Sequence, residues 1–224
     1  MVYQNQVDAL VIALKATGKV EVVVSDTLVS SVVTAKEEAM RMISKGVDAT
    51  IFSYGVFSFP NFSAIAARNG KGPFMLVAPL NPEWPGMVAM LAAGGALHHL
   101  GIDHFRAAGD VSDPKMMDKI LRFCRTAHVV SSLNGQVYGM IGGRSLGMYS
   151  ATVSMQDWQK KFGVDIEHID QLEIVRIAET IPDEQVEKAF DWLTENVGAI
   201  NYDDRQLTPA KLRTQIRHYE ATRQ

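Results

Sequence analysis

Apolar residues recur along this chain in two alternating rhythms. Val7, Leu10, Val11 and Leu14 share one helical face, and Gly18 stands where a left-handed residue would close that helix. Val20 to Val24, a β-branched run broken by Glu21 alone, is too short for a helix and predicts a buried strand. Ala35, Ala39, Met42 and Ile43 return to helical spacing and stop at Gly46. Strands are predicted at 49–52 and 74–78, with a short helix over 62–68 ended by Asn69-Gly70. Pro85 opens the next helix and Gly101 closes it, ahead of a strand at 105–108. Ser112-Asp113-Pro114 starts a helix that turns Met117, Ile120, Leu121 and Cys124 inward.

Two further strands are expected, at Val129-Val130 and at 137–141, separated by the Asn134-Gly135 turn signal. A second block follows. One helix ends at Gly163, and Val164, Ile166 and Ile169 suggest a strand. Asp170-Gln171-Leu172-Glu173 has the form of a capping box, and Pro182 and Pro209 each open a helix. Strands separated by helices predict an α/β fold: a mainly parallel, doubly wound sheet of Rossmann or flavodoxin-like kind. The start of a second α/β domain follows, with a boundary near Asn134 that gives 1–134 and 135–224. The pattern begins in a helix with no strand before it and stops in the polar helix Tyr219–Gln224, as expected for cuts through a larger protein.

Composition narrows the function. The 224 residues are 47% hydrophobic and 21% charged with net charge −3, and no Lys/Arg block suggests nucleic acid or an anionic membrane as partner. A single cysteine, Cys124, excludes an internal disulfide or thiolate cluster, and its apolar neighbours make it a small core residue. The N-terminus lacks the basic-then-apolar order of a signal peptide, so a reducing cytoplasm is expected.

Candidate chemistry is sparse. The glycine-rich stretch 139–148 follows a strand and is expected to precede a helix, where Arg144, Ser145 and backbone N–H groups could meet an oxygen-rich ligand. It reads equally as a tight turn with no ligand. Its spacing is not that of a dinucleotide fingerprint, and Met148-Tyr149 stands where a phosphate loop needs Lys-Ser/Thr. The six histidines lack ligand spacing, with His98 and His99 adjacent and so divergent. Asp26, Asp110 and Asp170 read as caps. Phe57-Ser58-Phe59-Pro60 is either local packing or a stacking wall for a sugar face, and Trp84 reads as an indole anchoring a helix start.

Several segments in one order resemble the L-fucose isomerase family, which includes D-arabinose isomerases. They are Val23-Val24-Ser25-Asp26-Thr27, Asn81-Pro82-Glu83-Trp84-Pro85-Gly86, Lys119 to Arg125, Gly142-Gly143-Arg144-Ser145-Leu146-Gly147-Met148 and Phe162 to Glu167. The resemblance runs from about Val20 to Asn196 and covers the N-terminal portion, somewhat under half of a typical member. It implies interconversion of an aldose and a ketose by a cis-enediol route. A divalent ion, usually Mn²⁺, polarises the carbonyl and a carboxylate moves the proton. It also implies a homo-oligomer, commonly a hexamer, with active sites shared between subunits. The family's metal-binding Glu, Asp and His lie beyond the matched region, as do its first strand and the basic loop after it. This chain would then supply pocket wall and oligomer contacts. Leu146 stands where the family sets a Met against the sugar, and Phe57 stands near a Trp lent by an adjacent subunit. Arg144, Ser145, Leu146 and Phe57 are therefore the expected substrate contacts. The alternative is a stand-alone sugar-binding or assembly module without catalysis.

Overall fold

The unbroken apolar run Phe74–Ala78 becomes β2, the middle strand of a three-stranded parallel sheet, and each of its residues is buried. A strand paired on both edges and covered on both faces has no polar side to show. Its neighbours are β1 (Thr50–Ser53) and β3 (His104–Ala108), with Ile51 opposite Met75 and Met75 opposite Phe105. This computed structural model describes residues 2–144, 147–203 and 205–224. It divides into two units, Met1–Asn134 and Gly135–Gln224, and this sheet belongs to the first.

Side-chain alternation along β2 feeds two cores. Met75 and Val77 point to one face, where Leu10 and Leu14 of α1 (Val2–Ala16) meet Met116, Ile120 and Phe123 of α5 (Pro114–Leu133). Phe74, Leu76 and Ala78 point to the other. There they meet Ala67 of α3 (Pro60–Asn69) and Ala89, Met90, Ala93 and Leu97 of α4 (Gly86–His99). The alanines let α4 lie close against the sheet. A smaller core joins Ala35 and Ala39 of α2 (Val32–Ser44) to Ala66. Ser31 caps α2 in a reciprocal box with Thr34.

In the second unit β4 (Val137–Ile141) pairs in parallel with β5 (Asp165–Ile169), joined through α6 (Met155–Phe162). Gly163 closes α6 at φ 66°, and Trp158 lies 5.1 Å from the Tyr138 ring. Helices α7 (Gln171–Ala178), α8 (Asp183–Asn196) and α9 (Pro209–Thr222) share a core of Ala178, Ile181, Val186, Ile216 and Ala221.

The chain is thus α/β with parallel strands, and its larger sheet carries helices on both faces. Strand order β1-β2-β3 is sequential, with no reversal among the described strands. Two strand expectations are corrected. Val20–Val24 is not part of a ladder, although Val20 and Val22 pack on the first core. Apolar patterning reports burial, not the presence of a pairing partner. Val129 and Val130 are the exposed penultimate turn of α5, because a two-residue β-branched signal does not stop a helix already running for fifteen residues.

Candidate functional site

In open parallel sheets, ligands meet the loops beyond the carboxyl ends of the strands. In the first unit those loops are 54–59 after β1, 79–85 after β2 and 109–113 after β3. Tyr54 anchors the first of them. It is buried, its hydroxyl lies 2.7 Å from the equally buried Ser63 Oγ, and burial pushes its phenol up to about 12. Gly86 at the start of α4 sits directly on this loop, so close that a Cβ there would lie 2.2 Å from the Tyr54 carbonyl oxygen.

Beyond Tyr54 the loop turns outward. Phe57 is 46% exposed and meets Phe59 edge-to-face at 5.4 Å, and Phe59, 61% exposed, meets Phe62 in the same way at 6.3 Å. These rings form a solvent-facing aromatic ridge, with Phe62 as its partly buried root. Such a ridge can stack on the apolar face of a sugar or be covered by a protein partner. Trp84, expected to anchor the start of α4, is 40% exposed. Pro85 takes the cap position without a side-chain hydrogen bond, so backbone stereochemistry and the Gly86 contact set the helix there.

A charged cluster follows the Val20–Val24 run. Arg41 Nε lies 2.9 Å from Glu38 Oε2 and 3.2 Å from Asp26 Oδ2, while Nη2 donates to the Val24 carbonyl. The Asp26 N–H and the Thr27 hydroxyl donate to Glu38, which is itself buried. Burial raises the Glu38 carboxyl, but hydrogen bonds led by Arg41 outweigh it and hold the pKa below its usual value. The cluster ties the extended run to α2. The pairing is visible in hindsight as Glu38 and Arg41 at i and i+3, whereas no spacing signalled Asp26 as their third member.

Arg41→Met is expected to destabilise this unit by about 2 kcal/mol at neutral pH, since it strands a buried carboxylate whose partner is itself only partly exposed. Because the folded pKa of Glu38 is lowered, its contribution is present above the ordinary carboxylate range and is lost as pH falls through it. The gap between wild type and variant in urea melts should therefore narrow in acid. A gap that widened would refute this role for Arg41.

In the second unit the glycine-rich stretch leaves β4 at Gly142, whose N–H donates to the Ile169 carbonyl and whose φ is +77°. Its Cα faces the Gln171 side chain at the start of α7. Arg144 follows on the surface, with its guanidinium 5.0 Å from the centre of the exposed Tyr149 ring. Ser145 and Leu146, the other two expected contacts in this turn, lie outside the described residues. The helix expected directly after the glycines starts only at Met155, capped by Ser154. Residues 147–154 hold turns, a bend and irregular chain, so among the described residues no helix N-terminus gathers N–H groups at the glycine run. Phe57 belongs to the first unit and Arg144 to the second.

The remaining candidates resolve individually. Asp170 caps α7 through the Leu172 N–H, as expected. Asp110 instead accepts from the Ser112 N–H in a loop turn, which holds its carboxyl below the usual range, and Asp113 caps α5. Asp26 is an ion-pair partner rather than a cap. Cys124 is partly buried against the first core, and burial pushes its thiol up. His128 Nδ1 lies 2.8 Å from Asp48 Oδ2, a contact spanning eighty residues that no motif announces.

These donors do not fit manganese. Among the described residues no three His, Cys, Asp or Glu side chains come together, and the Asp26–Glu38 carboxylates are bridged by a guanidinium. No reaction step is therefore assigned to a metal on these residues. Among the described residues no helix is long and apolar enough to cross a membrane.

A parallel α/β unit with its loops gathered at the strand ends is a common small-molecule and assembly platform, and fold alone does not choose between them. Comparison with known proteins supplies the class. The profile for the first N-terminal domain of L-fucose isomerase matches residues 3–135, and this chain belongs to the L-fucose isomerase family. An L-fucose isomerase of Salmonella arizonae is 28% identical over 191 residues, covering 80% of this chain and 32% of the relative. L-fucose isomerases of two Escherichia coli strains are 28% identical over 187 residues, covering 79% of this chain and 31% of theirs. The match thus spans about a third of the length of these curated relatives.

Proposed function

We propose that this chain is the N-terminal portion of a ketol isomerase that interconverts an aldose and a ketose, of the L-fucose/L-fuculose or D-arabinose/D-ribulose type. The observation that carries this reading is the family match over residues 3–135, extended by relatives that align with about four fifths of the chain. The chain's share of the work is binding and assembly. Phe57 and Phe59 offer apolar ring faces, and Arg144 offers donors to sugar hydroxyls from a turn that Gly142 shapes. In this reading Ser145 and Leu146 join Arg144 as sugar contacts from that turn. Proton transfer between C1 and C2 and the Mn²⁺ that assists it belong to residues outside this chain, in a cytoplasmic homo-oligomer.

Saturation-transfer NMR with L-fucose and D-arabinose tests the binding role. Weak, millimolar contact is expected, reduced severalfold in Phe57→Ala and Arg144→Ala. In parallel, the purified 224-residue chain should take up no stoichiometric Mn²⁺ and turn over neither sugar. Turnover by this chain alone would overturn the division of labour. Sugar contact that ignores both substitutions would overturn the assignment of these residues.

A further inference from the structure

Between the end of β1 and the first turn of α3 the chain has little of its own to hold it. Among the described residues no backbone–backbone hydrogen bond involves residues 55 to 58. Phe59, at the N-cap of α3, has no side chain able to accept from the helix start. Phe57 nevertheless keeps its edge-to-face contact with Phe59, so the ridge takes its position from the two ends of the loop. At one end the Tyr54 N–H donates to the Val77 carbonyl, and Gly86 packs against the Tyr54 carbonyl. At the other, the ring of Phe62 in the first turn of α3 supports Phe59. The buried face of that helix is Ser63, Ala66 and Ala67, and Ser63 is its one polar member. Alanine would pack there equally well. Tyr54 lies in the core with Ala67, Phe74 and Leu76, where phenylalanine would serve. Packing therefore explains neither hydroxyl, yet a buried hydroxyl is costly unless paired, and at 2.7 Å each is the other's partner.

We infer that Tyr54 and Ser63 are the positioning residues of the aromatic ridge: their hydroxyl pair clamps the two ends of the 54–59 loop together and so fixes the direction in which Phe57 and Phe59 present their rings. The clamp joins residues nine apart in sequence, one at the end of a strand and one inside the next helix. It thereby sets how the first turn of α3 meets β1, and the ridge is carried on that turn. A rigid ring loses less freedom when it stacks on a ligand than a mobile one, so the clamp favours sugar contact without touching sugar. That the ridge meets a sugar rests on the function proposed above, whereas the clamp itself does not.

The test compares Tyr54→Phe, Ser63→Ala and the double variant in the full chain by three measurements: backbone ¹⁵N relaxation, thermal melting and saturation transfer from L-fucose. Order parameters at Val56, Phe57 and Ser58 should fall from about 0.85 to below about 0.6 in all three variants, with loss of the Phe57–Phe59 ring contacts. Melting temperature should behave differently. It should fall most in Ser63→Ala, which leaves the Tyr54 hydroxyl buried and alone, and recover in the double variant, where neither hydroxyl remains. A pair that served stability only would recover ridge order along with the melting temperature. An ordered ridge in the double variant, or a ridge already mobile in the unaltered chain, would overturn the inference. L-fucose contact should weaken severalfold in step with ridge order. If the ridge loosens while L-fucose contact ignores these variants and Phe57→Ala alike, the clamp stands and the sugar reading falls.

Discussion

Gly86→Ala should lower the stability of the first unit by about 3 kcal/mol, the upper part of the usual overpacking range. The added Cβ would stand 2.2 Å from the Tyr54 carbonyl oxygen and 3.1 Å from its carbon. Both are backbone atoms at the end of β1, so no side-chain rotamer can relieve the contact. Either α4 backs away from the sheet or the 54–59 loop shifts, and each loosens the packing of Ala89, Met90 and Ala93 on β2. Differential scanning calorimetry should show the corresponding transition falling by roughly 10 °C. Trp84, the indole of this unit, should report the displaced loop by a change in fluorescence. The matched control is Gly95→Ala, further along the same helix, where a Cβ meets nothing within 4 Å. That change should stabilise by up to about 1 kcal/mol through helix propensity. Equal effects from the two substitutions would refute the close approach.

Leu76→Ala should cost about 3 to 4 kcal/mol, within the range for truncating a fully enclosed leucine. Leu76 has no exposed surface and is enclosed by Ala67, Ala89, Ala93 and Leu97. Helices packed through alanines have little side chain with which to collapse into the cavity, so the void should persist. The comparison is Phe105→Ala on β3, an edge position where the ring is 60% exposed. It should cost much less despite deleting more atoms, because most of that ring already meets water. Urea denaturation of both variants decides the matter. A Leu76→Ala loss below that of Phe105→Ala would mean that β2 is not the central strand.

The aromatic ridge and the Arg144 turn show how partial the sequence reading of a site can be. Phe57 was recognisable as an apolar ring in a loop after a strand, which left packing and stacking both open. Its exposure and its edge-to-face contact with Phe59 are tertiary facts. Gly142 was one of several glycines in a run. Only the fold shows that it holds φ +77° against the Gln171 side chain.

Features that depend on neighbours along the chain could be read from residue order. Helix periods, glycine and proline stops, the Asp170 cap and the continuous apolar strand Phe74–Ala78 all depend on local stereochemistry and burial pattern. The family resemblance is likewise a property of residue order. Features that depend on residues distant in the chain emerged with the fold. Val20–Val24 carries every local mark of a strand yet makes no ladder, because a ladder needs a partner that patterning cannot supply. Val129-Val130 carries a weak strand signal that a running helix overrides. Asp26, Glu38 and Arg41 become one cluster, and Gly86 becomes a contact point, only when the chain folds back on itself. Local sequence sets conformational preference, whereas pairing and close approach are settled by which distant surfaces meet.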